Sequence, residues 1–408
     1  MTLVVSVWIL SALSLAGAAY WLVVAWRVHR DGRNRPGLAL GLAVEVDHWP
    51  SVSIIIPAHN EEAHAPELLR SLLAQDYAGS LEAVFVLDRC TDGTRQALET
   101  VHLRHGSHSR LALRIVENHS CPSDWAGKCN AARIGAEAAR GELLLFTDAD
   151  TTFESRLTRA AVALLLDRSL ALLSALPEVS VRHSFESVVQ PVAAIQLMKL
   201  YPIARVNAAE RPRAFANGQF MLFTRESYNA LGGHEAVKDD LLEDLAFARR
   251  MVHGLKRRAG LFVADGLLHV RMYESYPQFR EGWRRILIEA CHRNPSRMRR
   301  YAVEGTVIGV GVELVALTSI GTGMAGLLWG DPPLGIAGVT AGVLALVAQK
   351  VTLMHIYSLI GVGRGWVWSY GAATLVLARI LWKGADDIRH RRPVRWGGRQ
   401  YVLAPQTD

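Results

Sequence analysis

Two aspartates one residue apart, Asp148 and Asp150, close the apolar run Leu143-Leu144-Leu145-Phe146-Thr147. A short apolar run of this kind reads as a buried strand. The C-terminal end of such a strand in an open α/β sheet borders the crevice where ligands bind. Carboxylates held this close repel each other unless a cation shares them. Hard divalent ions take oxygen ligands, and Mg²⁺ commonly accepts one or two carboxylates together with substrate phosphates. The pair points to a metal that holds a phosphorylated ligand, although an isolated Asp-x-Asp is more often a solvated loop. Its weight comes from neighbours placed the same way. His59-Asn60-Glu61 follow the β-branched run 52–56, and Asp88, with Asp92-Gly93-Thr94, follows the run 83–87. Three polar sets after three strands describe one crevice. A second acidic pair, Glu243 and Asp244, interrupts the apolar run 241–245 at a predicted helix start. Acids suit helix N-termini through capping and the helix dipole. A carboxylate there is equally suited to accept a proton, and the residues alone leave the two readings level.

The elements that must position these groups alternate. Strands are predicted over 52–56, 83–87, 111–116 and 143–146. Helices are predicted over 61–75, where Leu68, Leu69, Leu72 and Leu73 fall at helical spacing, and over 131–139. Strands alternating with helices imply an α/β domain, 51–272, with a doubly wound, mostly parallel sheet. On either side of it the chain is apolar. Residues 3–26 carry no charge until Arg27 and match the length of a spanning helix. With no basic n-region and too long an apolar run for a signal peptide, 1–27 reads as an uncleaved anchor. A basic linker, 28–50, follows, and Arg27, Arg30, Arg33 and Arg35 put that flank and the next domain in the cytoplasm.

Residues 273–302 mix Ile286, Leu287, Ile288 and Met298 with arginines, as an amphipathic helix on a membrane surface would. Transmembrane helices are expected within 303–382, at 303–329, 334–360 and 366–382, before a basic tail, 383–408. Three crossings from the cytoplasm would leave that tail outside, against the positive-inside rule. One of the three segments is therefore expected to be interfacial or re-entrant. Gln349 and Lys350, past the middle of the second, are costly in lipid unless they face protein or a polar cavity.

Much of the positive charge, net +7, lies beside these segments and in the tail. It suits an anionic membrane face better than nucleic acid, for which no motif is present. Cys90, Cys121, Cys129 and Cys291 lack metal-ligand spacing and read as reduced thiols. His102, His105 and His108 read as a surface loop, not a zinc site.

The motifs resemble the membrane-bound branch of glycosyltransferase family 2. They run in order from I-I-I-P-A-H-N-E-E (54–62) through L-D-R-C-T-D-G-T (87–94), W-A-G-K (125–128) and T-D-A-D (147–150). A-N-G-Q-F-M-L-F (216–223), G-G-H-E (232–235) and L-E-D (242–244) complete the set. The tail W-G-G-R-Q-Y (396–401) is similar to the subgroup acting on carotenoid or hopanoid-type lipids. The resemblance implies a GT-A fold, a nucleotide-sugar donor, a divalent cation (Mg²⁺ or Mn²⁺) and inversion at the anomeric carbon.

It further implies that Pro57, Asn60, Glu61 and Asp88 contact the donor's base or ribose. Asp150 would bind metal, Asp148 metal or ribose, and Lys128, in a loop with Gly127, the diphosphate. Asp244, beside Glu243, would be the general base. On the acceptor side stand His234 and the stretch Gln278, Arg280 and Trp283, which keeps R-x-x-W but lacks the contiguous Arg-Trp of processive synthases. Arg133 replaces the asparagine usual after the Gly-Lys. The implied function is transfer of a sugar to a membrane lipid at the cytosolic face, in a bacterial inner membrane. A polysaccharide synthase of the same family, or a non-catalytic nucleotide-sugar-binding scaffold, is the alternative.

Overall fold

Along β1 (Val52–Ala58) and β4 (Leu143–Thr147), neighbouring residues enter different cores. Ile54, Ile56, Leu143 and Leu145 pack on one side of the sheet, and Ile55, Leu144 and Phe146 on the other. Continuous apolar runs therefore suit these strands, because helices cover both faces. This is the geometry of a computed structural model that describes residues 2–33, 36–106, 109–179, 183–238, 240, 242–271, 273–328, 331–396 and 399–405. Arg35 and His108 lie outside the described residues.

The other strands are β2 (Leu81–Asp88), β3 (Leu111–Asn118), β5 (Thr151–Phe153), β6 (Leu172–Leu176), β7 (Glu178–Val179), β8 (Phe220–Thr224), β9 (Ala259–Val263), β10 (Leu268–Val270), β11 (Pro393–Trp396) and β12 (Arg399–Val402). The main sheet has the order β3-β2-β1-β4-β8-β6-β9, parallel except where β8 runs against β4 and β6. Strand order reverses between β1 and β4, and such a switch point opens a crevice beyond the strand ends. β1 continues through Pro57, which lies past the last β1–β4 pair, Ile55 with Phe146, so its missing N–H breaks no bond there.

The helices are α1 (Thr2–Arg33), α2 (Ala65–Leu73), α3 (Thr94–His105), α4 (Gly127–Ala138), α5 (Leu157–Asp167), α6 (Ser184–Leu200), α7 (Ile203–Val206), α8 (Arg225–Ala230), α9 (Glu243–Arg249), α10 (Tyr276–Ala290), α11 (Pro295–Thr306), α12 (Val312–Leu328), α13 (Pro332–Leu359) and α14 (Tyr370–Arg389). Among the described residues, three helices are long and apolar enough to cross a membrane: Val4–Arg30, Pro295–Leu328 and Pro332–Leu359. The second is continuous because α11 runs into α12 through a π-helical turn, Val307–Gly311. α12 and α13 touch backbone to backbone. A Cβ on Gly323 would lie 2.6 Å from the Val339 nitrogen, an approach only glycine permits.

The segment 366–382 is not among the three. A 3₁₀ turn, Arg364–Ser369, precedes α14, which carries Lys383, Asp386 and Asp387 and packs on α6, α10 and α11. Residues 273–302 likewise differ from one surface helix. Positive φ at His292 and Arg293 ends α10, and the Asn294 side chain accepts a hydrogen bond from the Arg297 N–H to start α11. Phe279, Trp283, Leu287 and Ile288 of α10 lie in a core shared with Trp21 of α1, Leu353 and Tyr357 of α13, and Leu377 and Leu381 of α14. The α/β domain and the long apolar helices are thus packed together, with Leu245 and Leu261 in the same core. Lys350 meets Glu313 at 2.6 Å and donates to the Val367 carbonyl, and Gln349 reaches the Ile308 carbonyl, so both face protein.

β11 and β12 form an antiparallel ladder that returns the chain to the α/β domain. Val394 and Leu403 are buried in the shared core, and Tyr401 also packs on a small cluster of Trp125, Ala126 and Cys129. Gly397 and Gly398 lie outside the described residues.

Candidate active site

The loops after β1, β2 and β4 meet at the switch point. The turn after β4 is fixed by the Thr151 hydroxyl, which donates to the Asp148 carbonyl at 2.8 Å, and by the Arg271 N–H on the Asp150 carbonyl at 3.2 Å. Lys128, expected in a loop, belongs to the first turn of α4. Its Nζ lies 2.7 Å from Asp148 Oδ1 and 3.0 Å from Glu243 Oε1, joining the loop after β4 to the start of α9. Burial disfavours the ammonium, but the two carboxylates outweigh burial and raise its pKa. Burial would likewise raise the pKa of Glu243; the Lys128 charge and hydrogen bond instead bring it below the ordinary value.

Asp244, the next residue, is treated differently. Its Oδ2 accepts from the Gly218 N–H at 2.8 Å and its Oδ1 from the Leu245 N–H at 2.7 Å. Burial and the adjacent Glu243 charge nevertheless raise its pKa to about 6. A carboxylate poised there is ionised at neutral pH yet holds a proton far better than an ordinary aspartate.

Across the crevice the acids act on one another. Burial, then Asp148 and Asp92, push Glu61 up to about 7. Asp150 is raised well above its usual range by burial and by Asp148 and Glu61, and its Oδ1 is inaccessible with no hydrogen-bond partner. An orphaned carboxylate oxygen among carboxylates fits a hard divalent cation. Among the described residues, no three His, Cys, Asp or Glu side chains form a complete metal cage. The remaining ligands would have to come from elsewhere, as with Mg²⁺ bound through one or two carboxylates and substrate phosphates.

Asp88, at the end of β2, accepts from Asn118 Nδ2 at 2.7 Å and from Arg89 Nε and Nη2 at 3.2 and 2.7 Å. Asn60, with φ of 57°, accepts from the Thr91 N–H at 2.8 Å, and the Glu61 N–H donates to Thr94 Oγ1 at 2.9 Å. These bonds hold the loops after β1 and β2 together. They also explain why α2 begins at Ala65, later than the periodicity suggests.

A cavity of about 1240 Å³ begins at Lys128, Asp148, Glu243 and Asp244. It continues past Trp283 and Arg285 of α10 to Trp21, Val24 and Arg27 of α1, Ile195 of α6, Ile308 beyond α11, and Leu377 of α14. Trp283 is buried in its wall, donating to Gln190 Oε1 at 3.1 Å.

The other acceptor-side expectations are corrected. Gln278 and Arg280 are exposed, one turn away from the cavity-lining Trp283 and Arg285. His234 is a core residue. Its ring lies 4.7 Å from that of Phe146 and 4.9 Å from that of Phe247, with Nδ1 2.8 Å from the Tyr228 hydroxyl, and burial lowers its pKa to about 3. The turn before it needs positive φ at Gly232 and Gly233, which accounts for the Gly-Gly. Arg133 bridges Glu137 and Asn130 and covers the Trp125 ring. The sequence reading missed Arg285, whose charge faces Tyr273, Glu243, Asp244 and Asp148. The only signal for it was its place two residues beyond Trp283.

The chain matches the family model described as Glycosyl transferase family 21 over residues 6–406. A 4,4'-diaponeurosporenoate glycosyltransferase of Staphylococcus aureus is 26% identical over 247 residues, 58% of this chain and 60% of the relative. A dolichyl-phosphate beta-glucosyltransferase of Drosophila melanogaster is 36% identical over 106 residues, 24% of this chain and 30% of the relative. The matches thus span less than two thirds of either relative. A mannosyltransferase from Pyrobaculum calidifontis, solved in complex with GDP-Man and Mn²⁺, superposes with a TM-score of 0.51 at 21% identity, covering 92% of this chain and 99% of that one. That likeness is one of fold, and the sheet is the GT-A sheet that the motifs implied.

Proposed function

This chain belongs to glycosyl transferase family 21, a GT2-like family, and on that premise we propose that it moves a sugar from a nucleotide-sugar donor to a membrane lipid, with inversion. The cavity carries this reading. It joins the acids of the crevice to apolar walls formed by helices of membrane-crossing length, a path suited to an amphiphilic acceptor. The family match and the GT-A sheet support the donor.

Donor contacts are assigned to Pro57, Asn60, Glu61 and Asp88 on the nucleoside side. Lys128 and the N-terminus of α4 face the diphosphate, since a helix N-terminus and an ammonium both favour an anion. Asp150, with Asp148, would hold the divalent cation, Mg²⁺ or Mn²⁺, whose chemistry there is countercharge for the diphosphate. Asp244 takes the proton of the acceptor hydroxyl as its oxygen forms a bond to the anomeric carbon. The bond from that carbon to the diphosphate breaks, and its electron pair leaves with the nucleoside diphosphate beside Lys128. Glu243 keeps Lys128 in place. Trp283 and Arg285 line the acceptor's path.

Crossing by α1, by the helix from Pro295 to Leu328 and by α13 would put the domain, α14 and the basic tail on one side. That arrangement meets the positive-inside rule and suits a bacterial inner membrane with a cytosolic site. α14 is then the non-crossing segment that the charge pattern requires.

The test is transfer from a panel of radiolabelled nucleotide sugars by membranes containing wild type or Asp150→Ala, with and without EDTA. Label in organic-extractable lipid, only with wild type and metal, is the expected result. Label in aqueous polymer would replace this reading with a polysaccharide synthase. Nucleotide binding without transfer from any donor would leave a scaffold.

A further inference from the structure

The tail ladder is unexplained by the chemistry above. β11 and β12 lie after the last membrane-side helix, yet the chain there returns to the loop that leads into α4. Val394 and Leu403 fasten the ladder to the core shared with α10, α13 and α14. Tyr401, half-buried, bridges from that core to the cluster of Trp125, Ala126 and Cys129, on which Cys121 also packs. This cluster holds the residues immediately before and after Gly127 and Lys128.

The same place borders Asp88. A Cβ on Gly127 would lie 2.8 Å from Arg89 Nη2 and 3.1 Å from Asp88 Oδ2, so strand end and helix start are in near contact. Arg89 holds Asp88 through two hydrogen bonds from a left-handed backbone, φ 52°. For a non-glycine residue such a conformation is costly and concentrates at functional sites. Tyr401 and Cys121 both lie within electrostatic reach of the Arg89 guanidinium. Asp88 and Arg89 thus lie against Gly127, and Tyr401 packs on Ala126 and Cys129 at either side of Gly127 and Lys128, beside the Trp125 ring.

We propose that Tyr401 of the C-terminal ladder is part of the donor site, a flat wall beside Asp88 against which the nucleotide base packs. The inference rests on the donor reading above. A base stacks on an aromatic face through its π-surface whatever its hydrogen-bonding edge. The ring should therefore matter and the hydroxyl should not, while Asp88 reads the polar edge. Tethering the wall to the membrane-side core makes that core part of the donor pocket.

The test is equilibrium titration of the full-length protein in nanodiscs with UDP and GDP, in the presence of Mn²⁺. Wild type is compared with Tyr401→Phe, Tyr401→Leu and Tyr401→Ala, and thermal midpoints are recorded without nucleotide. Tyr401→Phe should bind as wild type does. Tyr401→Leu, which keeps apolar bulk, and Tyr401→Ala should each weaken binding about tenfold or more. Tyr401→Leu with wild-type affinity would overturn the proposal, as would a fall in midpoint with no change in affinity. Failure of the wild type itself to bind either nucleotide would instead remove the donor reading, and this inference with it.

Discussion

Glu313 and Lys350, among the membrane-side helices, meet at 2.6 Å, and Lys350 is also bonded to the Val367 carbonyl. In the crevice, Glu61, Asp148, Asp150, Glu243 and Asp244 gather around Lys128 and Arg285. The first set is closed, with each charge answered by the chain itself. The second is open, and its imbalance is uneven. Glu243, bonded to Lys128, falls below its ordinary pKa, whereas Asp150, Glu61 and Asp244 rise above theirs. A pair that balances itself fastens helices together, while a surplus of one sign calls for a ligand of the other. The location of the surplus, on the Asp150 side, is what recommends that side for a cation.

The contrast can be broken by removing one member at a time. Asp150→Ala should lose transfer by about three orders of magnitude or more, the scale of losing a metal's charge stabilisation, with thermal unfolding little changed. A variant that transfers normally would show that the surplus has another purpose. Asp244→Asn should slow transfer by about 10²–10⁴-fold while donor affinity is kept, measured as kcat against donor KM.

In the closed set the order of effects reverses. Lys350→Met should cost about 1–3 kcal/mol of stability by leaving the half-buried Glu313 without its partner, and adding Glu313→Gln should recover most of that. Transfer per folded molecule should remain unchanged. Thermal unfolding of the single and double variants decides the matter.

A pH profile sharpens the same contrast. Protonated Asp244 cannot accept a proton, so kcat/KM should fall about tenfold per unit below a midpoint near 6 and level off above it. A midpoint near 4 would mean that burial and the Glu243 charge do not raise Asp244 in the working enzyme. The smallest effect is expected at the cavity wall. Trp283→Leu should raise acceptor KM by about tenfold or less, with donor KM unchanged, because one apolar wall is thinned and Gln190 loses its donor.

The open set was largely legible in the sequence, because its members sit where strand periodicity stops. Asp88, Asp148 and Asp150 each end an apolar strand, and no tertiary knowledge is needed to see that such ends share an edge. Glu243 and Asp244 were legible as a helix start, but their unlike pKa directions were not, since Lys128 reaches only one of them across 115 positions of chain. The acceptor side was read less well. Arg280 and Trp283 are three apart, yet one is exposed and the other lines the cavity, because α10 is packed by α6 and α14 at a rotation that its own sequence does not state. His234 looked functional through its glycines, which serve the backbone turn.

The segment 366–382 is apolar enough to suggest a crossing. α14 continues through charged residues to Arg389 and is not among the helices that are long and apolar enough to cross.

The return of the C-terminal ladder to the α/β domain sets an order of manufacture. Synthesis runs from the N-terminus, so the crevice acids are folded long before residues 393–403 leave the ribosome. In the topology proposed above, the helix pair between Pro295 and Leu359 has by then gone out through the bilayer and come back. An even number of passes is the only kind that lets Tyr401 reach Trp125. In that topology a chain whose helix pair stalled halfway would leave its last strands on the far side, away from Trp125. That topology would make the final strand a check on membrane insertion, complete only once the strand is laid.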